Sequence, residues 1–219
     1  MNIIFDVGRV LCTVDLDIFT KEFNEIISPR VDYKFDGMDF LSTIQCAQDV
    51  GKTTLTDSLY EMFVRPNIIS IKEMFDLSAS WNNTISDCLQ MTNLKDIIIG
   101  KSHKVAILSN MGTEHRNFIF KAWPQIFSNC TTFFSCDVGC RKPSKIFLYK
   151  FLEDHPEYNG ALYVDDMFDN LDAGEEMGLV PYWLNIEEIY ETCSYYKTDA
   201  SDVIDGHVSS ILKILGIEQ

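Results

Sequence analysis

The sequence predicts an α/β protein: a parallel sheet with an all-helical lobe inserted near its start. Three observations predict it. Short apolar, β-prone runs recur at 3–5 (IIF), 104–108 (KVAIL), 131–136 (TTFFSC), 161–164 (ALYV) and 180–184 (VPYWL), which suits strands buried on both faces. Helical patterns fill the gaps between the later runs. Between the first and second run, residues 17–88 read as one helical pattern after another with polar faces.

In chain order, the first strand stops at Asp6, with Gly8 just beyond it. A carboxylate there is either an ordinary turn residue or a group presented at the carboxyl edge, where open α/β sheets bind ligands. A helix is expected from Asp17, with Phe19, Phe23, Ile26 and Ile27 on one face, broken by Pro29 and the polar stretch 32–37. A short helix over 39–49 follows, then a turn at Gly51-Lys52-Thr53-Thr54. Thr54 or Thr56 caps a helix carrying Leu59, Tyr60, Met62 and Phe63. The string GKTT resembles the tail of a phosphate-binding loop. Cys46 stands where the upstream glycine belongs and no strand precedes it, so the string reads as a helix-entry turn. Pro66 ends that unit, and helices over 70–79 and 83–94 complete the insertion. The last strand, 180–184, leads to a tail closed by an amphipathic helix over 208–215.

Composition narrows the function. The 219 residues fit one large domain, or a domain with an inserted lobe. The 46% apolar and 23% charged shares are those of ordinary globular proteins. No apolar run approaches the ~18 residues that span a bilayer, and no basic lead of a signal peptide precedes the first strand. Seven cysteines, odd in number and scattered, fit reduced thiols of a cytoplasmic protein better than a disulfide framework. Cys136 and Cys140 have no second pair or nearby histidine to complete a zinc site. A net charge of −15 argues against nucleic acid and anionic membrane as partners. A phosphate ligand would then need local compensation by a cation, a lysine or backbone N–H groups.

The strand ends carry the candidate chemistry. Ser109 and Asn110 offer a hydroxyl and an amide to an anionic oxygen, or else cap the next helix. Lys142, followed by Pro143 and a helix, opposes the helix dipole unless it faces an anion; a solvated lysine is the alternative. Asp165 and Asp166 repel one another and are most easily kept ionised beside a cation, and hard oxygen donors suit Mg²⁺. Solvated turn acids are the alternative there.

Taken in order, FDVGRVL, ILSN, GCRKPSKIF and YVDDMFDNLDAGEEMG resemble the four motifs of the haloacid dehalogenase (HAD) superfamily, over nearly the whole chain. Each motif is weak alone; four in order are strong. The nearest flavour is that of sugar-phosphate phosphatases and the phosphatase domain of soluble epoxide hydrolases. The resemblance implies a Rossmann-like core over 1–16 and 89–219, with a helical cap over 17–88. It implies that Asp6 is the nucleophile and forms an aspartyl-phosphate. Ser109 and Asn110 would hold the phosphoryl oxygens, and Lys142 would neutralise charge between nucleophile and phosphate. Asp166 would ligate Mg²⁺ with Asp6 and the Gly8 carbonyl. Asp165 would assist directly or through water, and Asp169 would support this shell. Such chemistry asks for positioning and charge stabilisation, which this residue set can supply.

One position departs from the pattern. Many phosphatases of the superfamily carry a second Asp two residues after the nucleophile, which protonates the leaving group; Gly8 stands there, so another acid or a water has to serve. Arg9 is unusual beside a metal site and faces either the cap or the substrate. The expected activity is Mg²⁺-dependent hydrolysis of a small phosphorylated metabolite such as a sugar phosphate, by a monomer or weak homodimer. The alternatives are a dehalogenase using Asp6 on carbon without Mg²⁺, and a catalytically impaired binding or regulatory protein. Specificity is expected from the insertion, where Phe40, Trp81 and residues 45–48 are the candidates.

Overall fold

The computed structural model describes residues 1–31 and 35–217, so positions 32–34 of the expected break after the first helix lie outside the described residues. The chain begins with β1 (Ile3–Phe5) and β2 (Cys12–Val14). Helices α1 (Asp17–Ile26), α2 (Gly37–Asp49), α3 (Leu55–Leu59) and α4 (Ile71–Asn82) follow, then β3 (Ile85–Asp87) and α5 (Leu89–Gly100). Next come β4 (Val105–Ser109), α6 (Thr113–Ala122), β5 (Thr131–Phe134), α7 (Ser135–Val138) and α8 (Lys145–Asp154). The chain continues through β6 (Leu162–Asp165), α9 (Phe168–Glu176), β7 (Val180–Trp183), α10 (Ile186–Tyr196) and α11 (Ala200–Ile214). No helix among the described residues is long and apolar enough to cross a membrane.

The five strands expected from the apolar runs form one parallel sheet in the order β5-β4-β1-β6-β7. Strand β1 is central and wholly buried, which explains its unbroken apolar sequence. Side chains alternate between faces. Ile3, Phe5, Ile107 and Val164 pack with Met91, Leu94 and Ile98 of α5 and with Ile211 and Leu212 of α11. Ile4, Ala106, Leu108 and Tyr163 pack with Phe147, Leu148 and Phe151 of α8 and with Leu171 of α9. Both faces are therefore covered by helices. Phe5 lies opposite Ile107 on one side and Val164 on the other. That register brings the next residues, Asp6, Leu108 and Asp165, level at the carboxyl edge.

The inserted lobe hangs from an antiparallel hairpin in which Cys12 pairs with Asp87 and Val14 with Ile85. Its helices enclose their own core, built on Phe19, Phe23, Phe40, Leu55, Leu59, Phe63 and Leu77. The Phe23 and Phe40 rings stack at 5.1 Å. Local signals set the helix starts: Asp36 and Ser70 each form a capping box, and of the two candidate threonines Thr54 caps α3. A π-helical turn extends α3 through Phe63.

Three expectations need correction. The helix expected over 83–94 is a strand followed by a helix: residues 85–87 form β3, and α5 begins only at Leu89. The helices of 17–88 therefore stop at Asn82. The cause is non-local, because Ile85 and Asp87 bond to β2, whose three residues were too few to read as a strand. The strand expected over 131–136 ends at Phe134, and Ser135 and Cys136 turn into α7. The closing helix is longer than 208–215, starting at Ala200 behind an Asp199 cap.

The lobe is held to the core at two places. Glu114, in the first turn of α6, accepts from the Leu55 N–H at 2.7 Å, from the Thr56 N–H and from the Thr56 hydroxyl. The adjacent His115 stacks on Trp81 with centroids 4.2 Å apart and places Nε2 2.9 Å from the Trp81 carbonyl. At the second place the chain beyond α2 meets α7. Gly51 has φ +72°, and a Cβ there would lie 2.5 Å from the Cys136 carbonyl oxygen. Only glycine permits both that backbone and that approach. Gly51→Ala is expected to lower the unfolding free energy by about 2 kcal/mol or more, from left-handed strain plus the backbone clash. As a control, Gly100→Ala, whose Cβ meets nothing within 4 Å, should be neutral or stabilising by up to ~1 kcal/mol. Urea unfolding of the two variants checks the contrast.

Candidate active site

Asp6 leaves the end of β1, Ser109 and Asn110 the end of β4, and Asp165 and Asp166 the end of β6. Lys142 enters from the loop ahead of α8, whose N-cap is Ser144. The sheet register makes these neighbours. Lys142 is 1% exposed, and its Nζ lies 2.6 Å from Asp165 Oδ2, 2.9 Å from Asp6 Oδ1 and 3.0 Å from the Leu108 carbonyl oxygen. Burial alone would lower the ammonium pKa. Asp165 and Asp6 outweigh it, and the group is held well above the ordinary lysine value. Lys142 is thus a buried cation facing the sheet end, and the solvated alternative is excluded.

Asp165 is fully buried and fully satisfied. Oδ2 accepts from Lys142 and from the Tyr163 hydroxyl at 2.8 Å; Oδ1 accepts from the Met167 N–H at 3.0 Å and Asn170 Nδ2 at 2.8 Å. Its part is to hold Lys142. The support expected from Asp169 comes instead from Asn170 and Tyr163, and Asp169 is exposed on the first turn of α9. Tyr163 lies two residues before Asp165, on the same face of β6, so strand periodicity is the signal that could have found it.

Asp6 and Asp166 are the carboxylates with capacity left. Asp6 Oδ1 is close enough to Lys142 for an ion pair but off the hydrogen-bonding direction, so it remains a buried oxygen without a hydrogen bond. Burial raises the Asp6 pKa, Lys142 opposes this and Asp165 adds to it, leaving it above the usual carboxylate value. Asp166 is pushed up to about 7 by burial first and then by Asp6 and Asp165, against Lys142 and Arg9. Asp6, Asp165 and Asp166 each offer an oxygen within 4.8 Å of the others. Three buried carboxylates, one oxygen unpartnered, form a hard donor set that fits a divalent cation such as Mg²⁺.

The remaining candidates divide into binding and bracing groups. Ser109 borders a cavity that Gly8, two residues beyond Asp6, also lines. The Asn110 amide is spent on the Lys142 backbone rather than turned to a ligand: Nδ2 donates to the carbonyl at 2.9 Å, and Oδ1 accepts from the N–H at 2.8 Å. A motif string cannot reveal that pairing, because the partner lies in a different loop. Ser135 Oγ accepts from the Met111 N–H at 3.0 Å and holds the same turn. Arg9, at φ +58°, lines the cavity between core and lobe, and its guanidinium is also paired within the protein. Its Nε donates to Glu187 Oε2 at 2.6 Å, and Nη1 lies 3.7 Å from Asp166 Oδ2. Glu187 also accepts from the Val14 N–H, so it ties the hairpin to the site; nothing in its local sequence marked it.

The cavity measures about 290 Å³ and is bordered by Gly8, Ser109 and Asn110 from the core and by Gln45, Gln48, Asp49 and Trp81 from the lobe. That volume suits a small ligand. Phe40 does not reach it, being buried in the aromatic core of the lobe. Asp49 is a residue that the sequence did not mark. Burial pushes its carboxyl up to about 6 against the opposing Arg141, with Asp6 adding to the rise.

The Lys142 arrangement can be tested on stability. In Lys142→Met two buried carboxylates lose their cation, which should cost ~3–5 kcal/mol at pH 8. Carboxyls with raised pKa values bind protons more readily folded than unfolded, so acidification stabilises the folded form and the deficit should shrink by pH 5. Urea unfolding at both pH values measures this.

No protein-family model and no curated protein matches the chain. Solved structures do. A HAD family enzyme from Bacteroides thetaiotaomicron superposes with a TM-score of 0.69 at 22% identity, covering 83% of this chain and 92% of that one. The same enzyme in complex with magnesium and inorganic phosphate gives 0.67, at the same identity and coverage. The L-2-haloacid dehalogenase from Xanthobacter autotrophicus, with chloropropionic acid covalently bound, gives 0.56 at 12% identity, covering 89% and 82%. The parallel sheet, its strand order and the lobe inserted after the first strand give this chain the HAD-like fold.

Proposed function

We propose that this protein is a Mg²⁺-dependent phosphatase of the HAD superfamily that hydrolyses a small phosphorylated metabolite, such as a sugar phosphate, through an aspartyl-phosphate on Asp6. The observation that carries the reading is the meeting of Asp6, Lys142 and Asp166 at one sheet edge, with a buried Asp6 oxygen that is ion-paired to Lys142 but has no hydrogen bond. The magnesium and phosphate bound to the Bacteroides enzyme support the same chemistry. Residues 1–16 and 89–219 are the catalytic core in this reading, and 17–88 the cap over the substrate.

Asp6, Asp166 and the Gly8 carbonyl would hold the Mg²⁺, with Asp165 in support. When bound, the ion supplies positive charge against the phosphoryl oxygens. Asp6 attacks phosphorus in line with the leaving oxygen. Lys142 restrains the Asp6 carboxylate and offsets the charge gathering on the transferring group. Ser109 and the backbone at 110–112 hold the remaining oxygens, and Asp165, gripped by four donors, keeps Lys142 in place. The lobe keeps water from the site during transfer.

Purified protein should hydrolyse p-nitrophenyl phosphate with added Mg²⁺ and lose the activity to EDTA, and Asp6→Asn should lose ~10³-fold or more in kcat. Activity untouched by EDTA, or by Asp6→Asn, overturns the reading. EDTA-insensitive release of halide from a 2-haloacid would replace it with dehalogenation on carbon.

A further inference from the structure

We propose that Asp49, carried by the inserted lobe, is the general acid–base of the reaction, in the role that Gly8 leaves empty in the core. The inference rests on the phosphatase reading above and names a residue within it.

Position is the first argument. Asp49 is the last residue of α2 and borders the same cavity as Gly8 and Ser109. It lies near enough to Asp6 and Lys142 for both charges to act on it. Rigidity is the second. The end of α2 is wedged between two core loops. The Gln48 Cβ and carbonyl stand 3.5 and 3.6 Å from where a Gly112 Cβ would be, and Gly51 rests against the Cys136 carbonyl. Arg141 Nη1 lies 2.9 Å from Asp49 Oδ2, and Arg141 Nε donates to the Lys142 carbonyl at 3.3 Å. The guanidinium therefore fixes the carboxyl to the loop that carries Lys142. The third argument is chemical. Oδ2 is a buried oxygen with that ion pair but no hydrogen bond, a costly arrangement for a group with no task.

The charged surroundings are defined. Arg141, Asp6 and Lys142 act on Asp49. Other ionisable groups nearby are committed elsewhere: Glu114 to the α3 N-terminus, His115 to the Trp81 carbonyl, Arg9 to Glu187 and Asp137 of α7 to Arg116. With burial pushing the carboxyl up to about 6, both protonation states are populated near neutrality, as an acid–base group requires.

The steps balance. As the Asp6 oxygen bonds to phosphorus and the bond to the leaving oxygen breaks, protonated Asp49 gives its proton to that oxygen and the alcohol departs. Asp49 carboxylate then takes a proton from the water that attacks the aspartyl-phosphate. The bond to Asp6 breaks, phosphate leaves, and both carboxyls return to their starting state.

The test compares p-nitrophenyl phosphate, whose leaving group scarcely needs a proton, with phenyl phosphate, which has the same frame and a poorer leaving group. Asp49→Asn should lose ~10²-fold in kcat on phenyl phosphate and less than ~10-fold on p-nitrophenyl phosphate. The acid form is needed first, so wild-type kcat on phenyl phosphate should fall as pH rises through about 6, and the variant should lack that limb. A Cβ at Gly8 meets only Val14 Cγ2, at 3.6 Å, so an aspartate can be placed there. Gly8→Asp in the Asp49→Asn background should restore phenyl phosphate hydrolysis. Arg141→Met removes the group that positions the acid but not the acid itself, so it should lose more on phenyl phosphate than on p-nitrophenyl phosphate, less than Asp49→Asn does, and keep a pH limb. Equal losses on both substrates, in Asp49→Asn or in Arg141→Met, would mean that the pair only latches the lobe. Wild-type protein inactive on both esters would remove the phosphatase reading itself, an outcome distinct from equal losses in the variant.

Discussion

The structure depends on one buried ion pair network, in which the Lys142 ammonium sits between Asp6 and Asp165 at the end of the central strands. Taking such charges out of water costs several kcal/mol per ion, and their attraction offsets this only when the surrounding donors and acceptors are complete. They are nearly so: the Leu108 carbonyl takes a further ammonium proton, and Tyr163, Asn170 and the Met167 N–H complete Asp165. The deficit is concentrated on Asp6, whose Oδ1 has no hydrogen bond. A scaffold that satisfies one carboxylate four times over and leaves its neighbour short stores its unmet electrostatic demand where a reaction can use it.

The inserted lobe extends this arrangement rather than merely covering it. Its hairpin, β2 with β3, starts only a few residues beyond Asp6, so the lobe is anchored beside the Asp6 carboxyl. Glu114 and His115, on the core helix that follows the Ser109–Asn110 turn, grip the α3 and α4 ends of the lobe. The end of α2 is pressed on the same turn from the other side. A lobe pinned at both places can deliver a side chain as reproducibly as the core does, which a freely hinged lid does not. On our proposal for Asp49, this is what lets a residue of the lobe serve where Gly8 has no side chain.

Much of the framework was legible. The three inner strands showed as short apolar runs because they are covered on both faces, and the partly exposed edge strands β5 and β7 showed through their aromatic, β-prone residues. The capping residue Thr54 marked its helix because capping is a contact within three residues. The hairpin was not legible. Cys12–Val14 and Ile85–Asp87 are three residues each, and neither is a strand without the other. At 83–94 the local periodicity is helical, but a distant partner, β2, decides the backbone of residues 85–87.

The sequence by itself determined which polar residues stand at the strand ends, since the boundary between apolar run and polar terminus is written in neighbouring residues. Asp6, Ser109, Asp165 and Asp166 stand out that way, and Lys142 stands out by the proline and helix that follow it. The tertiary structure decided what each can do. It turned the Asn110 amide to the Lys142 backbone, set Arg9 on Glu187, saturated Asp165, left an Asp6 oxygen without a hydrogen bond and carried Asp49 to the rim of the cavity. Those outcomes depend on partners chosen across the fold. Whether a buried polar atom is satisfied is a property of everything around it, and a linear string does not contain that neighbourhood.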